Sequence, residues 1–188
     1  MPIVQMLCDD IICRSILYPK SFPNDVFDAE TLVKLDEIDG GSYAISVASR
    51  FLLGSDDAAH KYGCRAAVAS NTRFASRNGR LPEPDKEQVY YLGFYNLRAG
   101  AVQDVKLDCY LLGIKWKPEN DEDAHFEIQL SAPGAGHSKK ELKEDRKLAR
   151  QLIALCLMGA HRHVCTIDES RSAALDAIQL PDLAEQAA

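Results

Sequence analysis

The turn Ala132-Pro133-Gly134-Ala135-Gly136-His137, running into Ser138-Lys139-Lys140-Glu141, is the part of this chain whose residue types best suit chemistry. Ser138 and Glu141 have capping-box spacing, hydroxyl to the amide three residues on and carboxylate back to the cap. A helix begun this way offers unpaired N–H groups and the positive end of its dipole, and glycines let an anion approach the backbone. Gly134, Gly136, His137 and Ser138 are therefore candidate anion-binding residues. The lysine–serine spacing of a P-loop and the GxGxxG pattern are both missing, so an ordinary strand-to-helix loop stays open as the alternative.

Other constellations are sparser. His161, His163 and Cys165 share one face if residues 163–167 form a strand, which would let neighbouring pairs chelate zinc. No CxxC accompanies them, and the expectation is no metal. His60 and Cys64 stand one helical turn apart, but a catalytic thiol usually sits at a helix start, where the dipole lowers its pKa, so Cys64 reads as buried and inert. Tyr90, Tyr91, Phe94 and Tyr95 could stack bases, yet they alternate to both faces of a strand, so at least half must be core.

Charge narrows the partners. The 188 residues carry a formal net charge of −6, which argues against a general binder of nucleic acid. The imbalance is local: residues 58–82 contain no acid but hold Lys61, Arg65, Arg73, Arg77 and Arg80. Such a strip in an acidic protein suits a small anionic ligand, or is simply a solvated helix face. A protein partner is the other class left open by the acidic first third.

The elements that must position these residues follow from periodicity. Hydrophobic residues make up 46% and charged residues 27%, which excludes a wholly disordered chain. No apolar run approaches the ~20 residues of a membrane span. The first residues lack a basic region followed by an apolar stretch, so the six cysteines read as reduced thiols of a cytoplasmic protein. Strands are predicted at 3–7, 11–18, 43–51, 89–97, 105–117, 126–130 and 163–167. Helices are predicted from Asn24 or Asp28 to about Ile38, over 58–78 with a break allowed near Ser70-Asn71, from Ser138 to about Met158, and over 170–178. Short loops make 89–130 an antiparallel meander. The result is one α+β domain over residues 1–188, a mainly antiparallel sheet flanked by helices, with 180–188 as a frayed tail.

That order of elements, with YLGFYNLRAGAV at 91–102 and VCTIDESRSAALDAI at 164–178, resembles the GNAT superfamily of acyl-CoA N-acyltransferases, in particular its toxin-type members. Ser131 stands where the family places Arg or Gln ahead of its glycine turn. The resemblance implies that the turn 133–138 takes the pyrophosphate of acetyl-CoA through Gly134, Gly136, His137 and Ser138. Acyl transfer to an amine would then need a base, and Glu127, alternating with Phe126 and Ile128, is the candidate by position. The competing reading is a non-catalytic acidic adaptor or inhibitor that works by protein–protein binding.

Overall fold

The computed structural model describes residues 7–18, 20, 28–84, 86–118, 123–131, 136–158 and 162–164. In chain order these form β1 (Ile11–Tyr18), α1 (Ala29–Leu32), β2 (Asp36–Asp39), β3 (Ser42–Ser49), α2 (Arg50–Leu53), α3 (Asp56–Asn78), β4 (Tyr90–Arg98), α4 (Ala99–Gln103), β5 (Leu111–Trp116), β6 (His125–Ser131), α5 (Lys139–Met158) and β7 (Arg162–Val164). The class is α+β, as the patterning predicts. The strands make one sheet in the order β5-β6-β3-β1-β4-β7, with β2 on part of the β3 edge, and every pairing is antiparallel.

The sheet is covered on both faces. Ile12, Ile16, Ile45, Val47, Leu92, Tyr95, Phe126 and Ile128 pack with Ile153, Ala154 and Leu157 of α5. On the other face Cys13, Ala48, Tyr91 and Phe94 meet Ala59, Tyr62 and Ala67 of α3. Alternation along each strand feeds the two cores at once. Tyr90, Tyr91, Phe94 and Tyr95 are all buried, so β4 leaves no aromatic surface for a base to stack on.

α3 is a single unbroken helix of 23 residues. Ser55 caps it by accepting from the Ala58 amide at 3.1 Å, Asp56 and Asp57 sit in its first turn, and Gly79 closes it. The break allowed near Ser70-Asn71 does not occur. Asn71 is buried instead, donating to the Val89 carbonyl at 2.9 Å and accepting from the Val89 amide at 2.8 Å. One side chain thus ties the middle of α3 to the start of β4.

Three expectations need correction. The helix predicted to about Ile38 stops at Leu32, where Asp28 caps α1 through Glu30 N (2.9 Å) and Thr31. Asp36–Asp39 is strand because Gly40 and Gly41, at φ 50° and 84°, form a two-residue hairpin turn that returns the chain as β3. The strand predicted at 105–117 spans only 111–116, since the amides of residues 108–110 bond the Asp145 carboxylate rather than a neighbouring strand. Consequently β5 and β6 form a hairpin, but β4 lies beside β1 and β7, so the meander is limited to its second half. Of the predicted strand at 3–7 only Leu7 is described, and it is not in a strand; the rest of it, the helix at 170–178 and the tail at 180–188 lie outside the described residues.

Candidate functional site

β6 delivers Glu127 to the sheet interior, with Ser46 and Lys115 as its cross-strand neighbours. Phe126 and Ile128 turn toward α5, so Glu127 projects from the opposite face. It is 8% exposed and accepts a hydrogen bond from Gln129 Nε2 at 2.6 Å. A carboxylate so held has one lone-pair site committed to an amide. Ser46 beside it is exposed, which gives solvent a route to that face.

The start of α5 is built as the sequence predicts. Glu141 N donates to Ser138 Oγ at 3.3 Å, and Ser138 N donates to Glu141 Oε2 at 2.7 Å. Those bonds hold the Glu141 carboxyl below its ordinary value of 4.5. Gly136 has φ 113°, and a Cβ built on it would meet nothing within 4 Å. His137, Ser138, Lys139 and Lys140 are exposed around it. Gly134 lies outside the described residues. The capping carboxylate puts its own negative charge where a bound anion would sit. Because Glu127 projects from the sheet face opposite α5, it and the start of that helix do not converge on one face.

The remaining candidates are mostly occupied. His60 Nδ1 lies 2.9 Å from Tyr91 Oη, and its ring packs against Tyr91 and Phe94 at centroid separations of 5.8 and 5.1 Å. Burial pushes the Cys64 thiol up, away from the thiolate a nucleophile needs. His163 is in β7 opposite Phe94, whereas His161 and Cys165 lie outside the described residues. Among the described residues no three of His, Cys, Asp and Glu stand close enough together to hold a metal ion.

The basic strip proves uneven along α3. Lys61 pairs with Asp57 at 2.7 Å. At the far end Arg80 grips Glu87 through both terminal nitrogens, 2.6 and 2.7 Å, and stacks over Phe74. Between them Arg73 and Arg77 have no carboxylate partner among the described residues. Arg73 Nε bonds only the Ala69 carbonyl of its own helix, at 3.2 Å.

Two features carried no sequence signal. Arg14 sits where β3 changes partner, from β1 at Ala48–Ser49 to β2 at Ser42–Ala44, and its guanidinium bonds the carbonyls of Ser46 (2.7 Å) and Leu32 (3.2 Å). Burial draws its pKa down to about 10. An open groove of about 510 Å³ runs between α4 and α5, lined by Ala101, Asp104, Val105, Leu152, Leu155 and Cys156 among others. Long-range pairing of this kind leaves no local pattern to read. No helix among the described residues is long and apolar enough to cross a membrane. The chain matches no protein-family model, and neither a curated protein nor a solved structure matches it.

Proposed function

We propose that the protein binds an acyl-CoA at the start of α5, the small anionic ligand that the GNAT resemblance implies. One observation carries the reading: β6 runs into a capped 20-residue helix whose approach holds Gly136 with open space about it and Lys139 and Lys140 exposed beside it. Lys140 lies 3.9 Å from Glu144, while the dipole and the Lys139 ammonium favour a phosphate there. Glu141 opposes it, so a bound phosphate must sit over the amides of Lys139 and Lys140 or displace that carboxylate. Acyl transfer with Glu127 as base is the further step. It requires the acyl arm to reach the sheet face opposite α5, where Glu127 keeps lone pairs beyond the one that Gln129 occupies.

Calorimetric titration with acetyl-CoA and with CoA tests binding, and the Gly134→Asp/Gly136→Asp variant tests the place. Micromolar affinity lost in the variant is the expected result. The absence of heat at millimolar ligand overturns the reading. Glu127→Gln that keeps binding but loses turnover of an amine would identify the base.

A protein-binding role is favoured by a different observation. Leu148 and Leu155 of α5 are 41% and 64% exposed and, with Leu152, form an apolar line beside the α4–α5 groove. An acidic docking surface at Asp56 and Asp57 fits less well, because Arg50 and Lys61 pair with them. Charge reversal there would separate the two roles, since only a partner held by acidic groups should be lost.

A further inference from the structure

The corner where the end of β1 meets the middle of α3 gathers positive charge in a protein that is negative overall. Lys20 Nζ lies 3.2 Å from Ser70 Oγ, and Arg73 stands one turn further along the same face of α3. Arg14 comes from β1 and anchors on the Leu32 carbonyl, two residues before Lys34. Four cations thus come from three stretches of chain (β1 and its exit, the segment after α1, and α3), and they share one acid among the described residues: Asp36, 3.8 Å from Lys34. Arg73 and Lys20 are exposed and have no carboxylate partner there.

Like charges held together cost free energy unless an anion lies among them. Partial desolvation of its ammonium, and then the charges of Arg73, Arg14 and Lys34, pull Lys20 below the ordinary value, with Asp36 alone acting the other way. Arg14 is fixed before any ligand arrives, because two carbonyls hold its guanidinium, and Lys20 reaches the Ser70 hydroxyl at 3.2 Å. A guanidinium already held in place beside exposed cations lowers the ordering cost of binding a compact dianion.

We propose that Lys20, Arg73, Lys34 and Arg14 form a binding site for a phosphate dianion, either free or as the phosphomonoester of a small organic molecule. Lys20 and Arg73 contact the oxygens. Arg14, held by two carbonyls, and Lys34 add their positive charge to the same corner. The site is separate from the α5 start and does not depend on acyl-CoA binding there.

The test is calorimetry on the full chain at low ionic strength with inorganic phosphate, with AMP, and with adenosine as the uncharged control. Saturable binding of phosphate or AMP, weakened about tenfold by Arg73→Ala and by Lys20→Ala, is the expected result. Lys61→Ala, in a strip residue already paired with Asp57, should leave the isotherm unchanged. Both informative side chains are exposed, so their loss should not disturb folding, and a melting curve checks this. Tighter binding of AMP than of phosphate supports an organic ligand, and equal binding supports free phosphate. Three results would overturn the site: no saturation at tens of millimolar, an isotherm unmoved in the Lys20→Ala/Arg73→Ala double variant, or loss of phosphate binding in Gly134→Asp/Gly136→Asp. A single-stranded oligonucleotide that binds far more tightly than AMP with a steep salt dependence would also overturn the small-ligand assignment.

Discussion

Asp145 shows how one residue can decide a stretch of backbone. Its carboxylate is 6% exposed and accepts from the amides of Asp108 (3.1 Å), Cys109 (2.9 Å) and Tyr110 (3.0 Å). Asp145→Asn removes the charge and one acceptor oxygen, which should cost about 2–3 kcal/mol in denaturant unfolding. Cys13 gives a second check. Desolvation drives its thiol up to about 12, whereas Cys8 is exposed, so an alkylating reagent at pH 8 should label Cys8 in the native protein and reach Cys13 only on unfolding. A third belongs to the cap. Glu141 titrates below 4.5 when folded, so its contribution is complete above that pH and is lost as pH falls through the folded value. The acid-side decline in melting temperature should therefore be shallower in Glu141→Gln. The cap itself was legible because its partners are three residues apart. Asp145 was not, since its donors lie 35 to 37 residues away.

Between elements, the tightest constraint is α3 on β4. A Cβ on Gly63 would stand 2.0 Å from Tyr91 Cε2, so Gly63→Ala must push the ring out of a packed face. We expect a loss of about 3 kcal/mol, partly restored in the double variant with Tyr91→Leu. The same reach of tertiary contact explains which elements could be read in advance. β1, β3, α3, β4, β6 and α5 carry their own periodicity and stops, and the patterns place each within a few residues. β2 reads DEID, with one apolar residue and three acids, and is strand only because β1 leaves part of the β3 edge open. The 105–117 pattern alternates well enough for a strand, but Asp145 takes the amides that pairing would need. The candidate site followed the same division. The α5 start was local and legible, whereas the Lys20–Arg73 corner draws on three separated segments, and only its α3 strip could be seen.

For the molecule as a whole, the question is whether two helix layers on one sheet unfold together. Asn71 ties α3 to one face and Asp145 ties α5 to the other, with the sheet between them. Every strand from β5 to β7 is paired in a single ladder sequence, so loosening one face weakens the support of the other. Asn71→Ala leaves both backbone groups of Val89 without their partner and should cost about 2 kcal/mol. In a single cooperative unit Asn71→Ala and Asp145→Asn lower the same transition, and because they share no partner their costs add to within about 0.5 kcal/mol. Urea unfolding followed by far-ultraviolet circular dichroism and by Trp116 fluorescence should then give coincident curves in the double variant. Two separated transitions, each moved by one substitution alone, would mean that the sheet is not the continuous spine on which the α5 start and the β1–α3 corner both depend.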